Sequence, residues 1–457
     1  MQPTSSERPP AEPPAAGPEP DTVNPYIALT EADRAAMLAV IGVRSLDELF
    51  ADIPAAYRDP VIDLPPPRSE AELVRELGAL AEANRPAGAM PCFLGGGARK
   101  HFVPSVVGHI TGRSEFATAY TPYQPEIAQG TLQTTFEFQS MVCELSGMDV
   151  ANAGMYDGAS ALAEACLMAA RLTGRHRVAL LDTVHPHAVQ VVRTYCSGPE
   201  IEVDLIADGT ALTEAHACLA VQQPNFFGEL EDVHALGAAA HARGALYVVS
   251  ADPLSLGLLA PPGSYGADIY VGDGQPLGVG LNFGGPSVGL FACRAQFIRQ
   301  MPGRIVGRTR DTEGRTGYVL TLQTREQHIR RERATSNICT SQQLVALAVT
   351  VYLAAVGPRG LRHIAELCYH KAHYLAGEIA KLPGWRVGRN GPARPFFNEF
   401  VVRGPLPPAE VNARLLEQGI LGGLDVSRWV PNGLLLAATE LNPRAEMDAL
   451  VAALRAM

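Results

Sequence analysis

Four places in the sequence, each at the opening of a helix-like run or the end of a strand-like one, hold residue types that fit a single piece of chemistry. In MYDGASALAEACLMAARL, Asp157, Gly158 and Ser160 open a long Ala- and Leu-rich segment. Free backbone amides and a hydroxyl at a helix start would suit an anion, although the same residues also suit plain N-capping. His185 stands just past the apolar run VALLD (178–182), where an imidazole could lie over a flat ring. QQPNFFG (222–228) closes another strand-like run in a turn with Asn after Pro, and Asp252 ends ALYVVSAD. A carboxylate at that strand end can meet a ring nitrogen or cap the next turn.

An anion cradle, a flat group and an acid beside a ring nitrogen are three of the four parts that a pyridoxal-phosphate enzyme needs; the fourth is a lysine to form the imine. The chain contains only Lys100, Lys371 and Lys381. None belongs to the segment after ADIYVG (267–272) where that lysine should stand, and Gln275, in GDGQPLG, is the nearest match. An amide cannot form an imine. The outline of such an enzyme is present without its nucleophile, so no catalytic residue is assigned to this chain.

Other motifs fail on their own terms. GGGARKH (95–101) lacks the Gly-Lys-Ser/Thr ending of a P-loop. GDGQPLG has its third glycine one residue late for a dinucleotide fingerprint, and no helix follows it. His185 and His187 in HPH have no third ligand at a recognisable spacing, and the eight cysteines are too dispersed for a zinc or redox pair, so no metal is expected.

The elements that must position these residues can be read around them. Residues 1–25 form a Pro/Ala-rich solvated tail with neither the basic nor the apolar region of a secretory signal. A helical extension, 26–90, follows: Thr30 with Asp33 and Ser45 with Glu48 predict two short helices, and Ser69 caps a third. From 91 to 326, helices alternate with short apolar strands at 178–182, 201–206, 217–222, 245–250, 267–272 and 288–293. That pattern predicts a large α/β domain with a mostly parallel sheet and helices on both faces. Residues 327–457 read as a helical linker and a smaller C-terminal α/β domain. With 47 acidic against 37 basic residues, a net charge of −10 and no Lys/Arg cluster, nucleic-acid and membrane-surface roles are disfavoured. No uninterrupted apolar stretch is long enough to span a bilayer, and the dispersed thiols fit a reduced cytoplasm.

Three long strings carry a family likeness: AYTPYQPEIAQGTLQTTFEFQSMVCELSGMDVANAGMYDGASALAEA (119–165), GADIYVGDGQPLGVGLNFGGPSVGLFACR (266–294) and GYVLTLQTREQHIRRERATSNICTSQQL (317–344). Through them the sequence, from about Tyr26 to its end, resembles the split P-protein family of the glycine cleavage system, on the subunit 1 (alpha chain) side. The resemblance implies a fold-type-I pyridoxal-phosphate scaffold and a heterotetramer of two alpha and two beta chains. It also implies that subunit 2, the beta chain, holds pyridoxal phosphate through the lysine absent here. The reaction so implied decarboxylates glycine and passes its aminomethyl group to the lipoyl group of the H-protein, without a nicotinamide. GGGARKHFVP (95–104) departs from the family's glycine-tyrosine-aspartate-histidine look at Arg99 and Lys100 while keeping His101 and Pro104.

What the chain would supply is read from two further segments. AYTPYQPE is dense in hydroxyls, amides and acid (Tyr120, Thr121, Tyr123, Gln124, Glu126), stiffened by two prolines. It suits the lining of a neighbour's active site or lipoyl entrance, or an ordinary turn whose tyrosines pack at an interface. TREQHIRRERATSN (324–337) reads as one helix carrying Arg325, Arg330, Arg331 and Arg333, either solvated or a docking face for an acidic partner. Three alternatives stay open: an autonomous pyridoxal-phosphate enzyme, a non-catalytic scaffold, and a regulator that binds a ligand in the vestigial pocket of Asp157, Gly158, Ser160, His185, Asp252 and Gln275.

Overall fold

The computed structural model describes residues 26–58, 60, 63–118, 120–338, 340–389 and 394–457. The tail 1–25, Ala119 and Cys339 lie outside the described residues. The described residues up to Asn84 form one unit and Arg85–Met457 a second.

In the first unit, helices Glu31–Ile41 and Glu70–Glu82 begin where their caps predict. The Thr30 and Ser69 hydroxyls accept from the third helical N–H, and Asp33 and Glu72 reach back to the capping backbone. Ser45 makes no such cap. Glu48 turns instead to Arg44, 3.1 Å away, and Leu46–Phe50 is a 3-10 turn. No residue in these elements is buried: Val40 is 90 % exposed and Val74 68 %.

The second unit holds three sheets, of seven, four and two strands. Its strands are β1 (Val150–Ala151), β2 (Arg177–Leu181), β3 (Glu202–Ile206), β4 (Cys218–Gln223), β5 (Leu246–Ala251), β6 (Ile269–Asp273) and β7 (Gly289–Cys293), then β8 (Ile305–Arg310), β9 (Thr316–Thr321), β10 (Arg386–Val387), β11 (Glu399–Arg403), β12 (Leu424–Asp425) and β13 (Gly433–Ala437). The first seven form one sheet in the order β1-β7-β6-β5-β4-β2-β3. β2 to β6 run parallel, while β7 runs antiparallel to both β6 and β1. All six predicted strands are present. Their consecutive apolar residues, such as Leu219, Ala220 and Val221, are fully buried, as a sheet covered on both faces requires. β10 to β13 make a smaller antiparallel sheet, order β10-β11-β13-β12, with a core of its own that includes Phe93, Phe400 and Leu436. The third sheet is the antiparallel pair β8–β9.

The helical segment Gln343–Ile379 joins the two cores. Val349, Tyr352 and Cys368 pack into the core of the large sheet, and Ala372, Leu375 and Ile379 into that of the small one. It is broken at Gly357, whose φ of 60° precedes Pro358. By length and composition alone this segment matches a bilayer span, which the broken apolar runs of the sequence did not suggest.

Residues 323–333 are not the single helix expected. They form a 3-10 turn, a four-residue helix and another 3-10 turn, with Arg331 at φ 53°. Arg325 is buried and donates to the carbonyls of Met301 and Gly303, so it serves the interior and not a docking face.

Candidate functional site

Parallel α/β sheets bind ligands beyond the C-terminal ends of their strands, because there the helix N-termini and loops converge. In this chain those ends carry the sequence-predicted residues Asp252 after β5, Gln275 two residues past the end of β6 and His185 four residues after β2, and Asp273, which ends β6, joins them. Helix Gly158–Thr173 presents its N-terminus to the same edge, since the Gly158 N–H donates to Asp273 Oδ2 at 2.9 Å. The cluster is therefore assembled. Every member, however, is already engaged by the chain itself.

The segment Cys92–His101 does most of this. Cys92 and Leu94 pair with Leu421 and Leu436 of the small lobe, and the Phe93 N–H donates to the Leu421 carbonyl at 2.9 Å. The run Gly95-Gly96-Gly97 then turns the chain toward the large sheet. Gly96 and Gly97 have φ of 111° and 91°, which other residues rarely adopt, and a Cβ on Gly95 would sit 2.8 Å from Leu435 Cγ. Their N–H groups close on one acceptor, Glu399 Oε1, at 2.7 Å for Gly96 and 3.1 Å for Gly97.

Arg99 follows, buried at 6 % exposure. One arm of its guanidinium pairs with Asp252 and the other with Glu399 at 2.9 Å. Burial alone would weaken the cation, but the two carboxylates outweigh it and raise its pKa. Asp252 thus meets a positive partner at a strand end, as the sequence suggested, and that partner is a side chain of the same protein.

Gln275 is clamped in both directions. Its Oε1 accepts from the Arg99 N–H at 3.4 Å, and its Nε2 donates to the carbonyls of Arg99 at 2.9 Å and Val279 at 3.1 Å. No lysine approaches: Lys100 turns its ammonium to the Gly88 carbonyl, Lys371 to the Glu440 carbonyl and Lys381 to Glu378.

At the helix start, Asp157 and Ser160 cap each other reciprocally, which is the bland reading of that motif. Asp273 fills the rest of the cradle, accepting from Gly158 N–H, from Gln275 N–H at 2.9 Å and from the Ser287 hydroxyl. Burial pushes its pKa up, against the pull of those hydrogen bonds. The sequence reading missed Asp273 and Glu399. An acid directly after the strand ADIYVG was the one local signal available for Asp273.

His185 is no free stacking ring. Its Nε2 donates to the Gly96 carbonyl at 3.2 Å, its Nδ1 accepts from the His187 N–H at 3.1 Å, and Phe226 lies edge-on at 4.9 Å. Burial first, and His187 second, lower its pKa, in keeping with a neutral imidazole in that tautomer. Pyridoxal phosphate, which the sequence resemblance implies, does not fit these residues. The acid for its ring nitrogen is already paired, a buried carboxylate holds the amide that would meet its phosphate, and no amine is at hand.

Next to this cluster, His101, Cys368 and Glu440 bring three possible metal-ligating atoms within 4.8 Å of one another. Glu440 is committed, however, to the Phe102 N–H at 2.6 Å, His101 Nδ1 at 2.9 Å and the Cys368 thiol at 3.3 Å. Burial raises the Cys368 pKa and keeps it a thiol donor, so the group reads as a hydrogen-bond network.

The other candidate residues lie elsewhere. Tyr120, Gln124 and Glu126 are exposed and Thr121 half-buried. The loop is tied down by buried Arg304, which donates to the Tyr123 hydroxyl at 3.0 Å, lies over the Tyr123 ring at 5.2 Å, reaches Thr121 Oγ1 at 3.5 Å and pairs with Glu326 at 3.4 Å. His328 meets the Tyr123 ring edge-on at 5.6 Å. Arg304 was not singled out in the sequence, where it is one arginine among many.

Comparison with known proteins places this geometry. Residues 24–454 match the family described as Glycine cleavage system P-protein. A probable glycine dehydrogenase (decarboxylating) subunit 1 from Thermomicrobium roseum is 53% identical over 441 residues, 93% of this chain and 98% of that one. Its namesake from Chlorobium limicola is 52% identical over 445 residues, covering 95% and 100%. A crystal structure of glycine decarboxylase (P-protein) of the glycine cleavage system, in inhibitor-bound form, superposes with a TM-score of 0.88 at 47% identity, covering 94% of this chain and 99% of that one. A bacterial sphingosine-1-phosphate lyase at 16% identity and TM-score 0.61 shares the fold alone.

Proposed function

Because the chain belongs to the glycine cleavage system P-protein family and has the fold-type-I scaffold of pyridoxal-phosphate enzymes, we propose that it is the alpha subunit of a glycine dehydrogenase (decarboxylating). Its partner is subunit 2, the beta chain, in an assembly of two alpha and two beta chains. The pair decarboxylates glycine and transfers the aminomethyl group to the lipoyl group of the H-protein, in the cytoplasm. Pyridoxal phosphate serves as the electron sink for the decarboxylation and is bound covalently by the beta chain.

One observation carries this reading: Gln275, an amide held by three hydrogen bonds, follows the strand after which the sequence reading seeks the imine-forming amine, and no lysine approaches it. A chain of this fold without that amine needs a second polypeptide to supply it. The relatives' name, "subunit 1", is consistent with that need. So is the first unit, whose Val40, Ile41, Val74, Leu77 and Leu80 are all at least 59 % exposed and provide apolar area for association.

Tyr120, Thr121, Tyr123, Gln124 and Glu126 are the residues proposed to face the beta chain's active site or its lipoyl entrance. Such a role needs a loop whose polar groups are exposed while its backbone is fixed, and Arg304 supplies the fixing. A non-catalytic scaffold is the second reading, favoured by the closed pocket.

The test mixes the purified chain with its lysine-bearing partner, carboxyl-labelled glycine and lipoylated H-protein, and follows labelled carbon dioxide. The alpha-subunit reading expects none from this chain alone and turnover from the mixture. A rate per folded beta chain that does not depend on this chain would leave only the scaffold. Turnover by this chain alone would overturn both.

A further inference from the structure

We infer that the segment 95–101 is a built-in occupant of the cofactor-shaped pocket and the pin that holds the two lobes together. The occupation is matched in charge. A pyridoxal-phosphate ring would bring a cation to the acid at the end of β5; here the Arg99 guanidinium brings it. A phosphate would bring an anion to the N-terminus of helix Gly158–Thr173; here the Asp273 carboxylate stands there, on the Gly158 amide. Any phosphate entering would face that acid, with Asp157 close enough to raise the Asp273 pKa further. The pocket is both filled and electrostatically set against a phosphate-bearing ligand.

The pinning follows from where each partner sits. Asp252 and Gln275 belong to the edge of the large sheet, and Glu399 begins β11 of the small one. Arg99 bridges them through side-chain pairs to both carboxylates and backbone-to-amide bonds to Gln275. On either side of it, Gly96 and Gly97 hold Glu399, His185 holds Gly96, the Thr439 hydroxyl donates to the Lys100 carbonyl at 3.0 Å, and the Phe102 N–H donates to Glu440. A buried cation between the buried Glu399 and the partly exposed Asp252, from different lobes, fixes their separation, because parting the lobes would strand an unpaired charge in a low dielectric. This lobe arrangement is therefore locked, with no ligand-gated opening.

This inference is separable from the proposed function, since a pocket here that did take a ligand would leave the beta chain's catalytic lysine where it was proposed. It is tested on the full chain by thermal unfolding and by equilibrium dialysis against pyridoxal phosphate. Wild type is expected to show no saturable binding of the cofactor. Arg99→Ala is expected to lower Tm by about 5 °C, as loss of the central partner of a buried charge cluster does. Methylguanidinium at low millimolar concentration should recover much of that loss in Arg99→Ala and none in wild type, while methylammonium at equal ionic strength should not. If Arg99→Ala does not fold, the variant Arg99→Gln with Asp252→Asn and Glu399→Gln, which removes all three charges together, should fold and melt within a few degrees of wild type. Saturable micromolar binding of pyridoxal phosphate by wild type, an Arg99→Ala chain with unchanged Tm, one that methylguanidinium does not restore, or a charge-free triple variant that fails to fold would each overturn it.

Discussion

The strand-end pocket and the loop Tyr120–Ile127 are both polar and rich in groups that could do chemistry, yet they are built in opposite ways. In the pocket, Asp252, Asp273, Gln275 and His185 spend their hydrogen-bonding capacity on the chain's own Arg99, Gly96, Gly158 and Ser287. In the loop, the anchoring is done from beneath by Arg304, while Tyr120 stays 83 % exposed and Gln124 and Glu126 face outward. Inward satisfaction makes a structural core out of the strand-end site. Outward presentation on a fixed backbone is what a partner can use. On the proposed reading, the pocket answers to stability and the loop to turnover.

That contrast breaks most visibly at Asp252. Asp252→Asn leaves Arg99 buried with Glu399 alone and should cost about 3 kcal/mol of stability, the scale for breaking a buried ion pair. Glycine turnover per folded complex should stay within about twofold; a large loss of turnover in a complex that melts normally would show that the pocket still works. Gln275→Lys comes next. A third charge set beside Arg99, in place of an amide hydrogen-bonded to two carbonyls, should cost about 2 kcal/mol. With Asp273 on the helix start it should yield no visible aldimine band after dialysis against pyridoxal phosphate, and such a band would reopen the pocket as a cofactor site.

Tyr123→Phe acts on the other region. It removes the hydroxyl that accepts from Arg304, costs about 1 kcal/mol at most in stability, and should lower glycine turnover or H-protein affinity several-fold in the assembled complex. Unchanged turnover and affinity in both Tyr123→Phe and Gln124→Ala would reduce the loop to a turn. The smallest effect is a pH slope. The folded pKa of His185 lies below its ordinary 6.5, so its stabilising contribution is full above that pH and is lost as the unfolded state takes up a proton below it. His185→Gln should flatten the stability curve between 6.5 and lower pH, by less than about 1 kcal/mol.

These outcomes also bear on what could be read without coordinates. The six sheet strands were legible because buried parallel strands are written as local apolar runs, and the capping boxes at Thr30 and Ser69 because they span three residues. β1, only two residues long, and the half-exposed hairpin β8–β9 carry no such signal. Asp252, His185 and Gln275 were legible as strand-end residues. What they touch was not, because the pairing of Arg99 with Asp252 joins positions 153 residues apart and that with Glu399 crosses between lobes. The sequence did register something unusual at Arg99 and Lys100, as a departure from the family's look, without revealing that one of them fills the pocket. The arginines at 325–333 misled for the converse reason: charge on a string says nothing about burial, and Arg325 is inside.

On the proposed reading, the cofactor's covalent bond belongs to a partner and not to this chain. Borohydride reduction of the assembled, cofactor-loaded complex, followed by mass spectrometry of each polypeptide, reads this directly. The pyridoxyl adduct is expected on a lysine of the beta chain alone, with Lys100, Lys371 and Lys381 of this chain unmodified. A stoichiometric adduct on any of those three would contradict it.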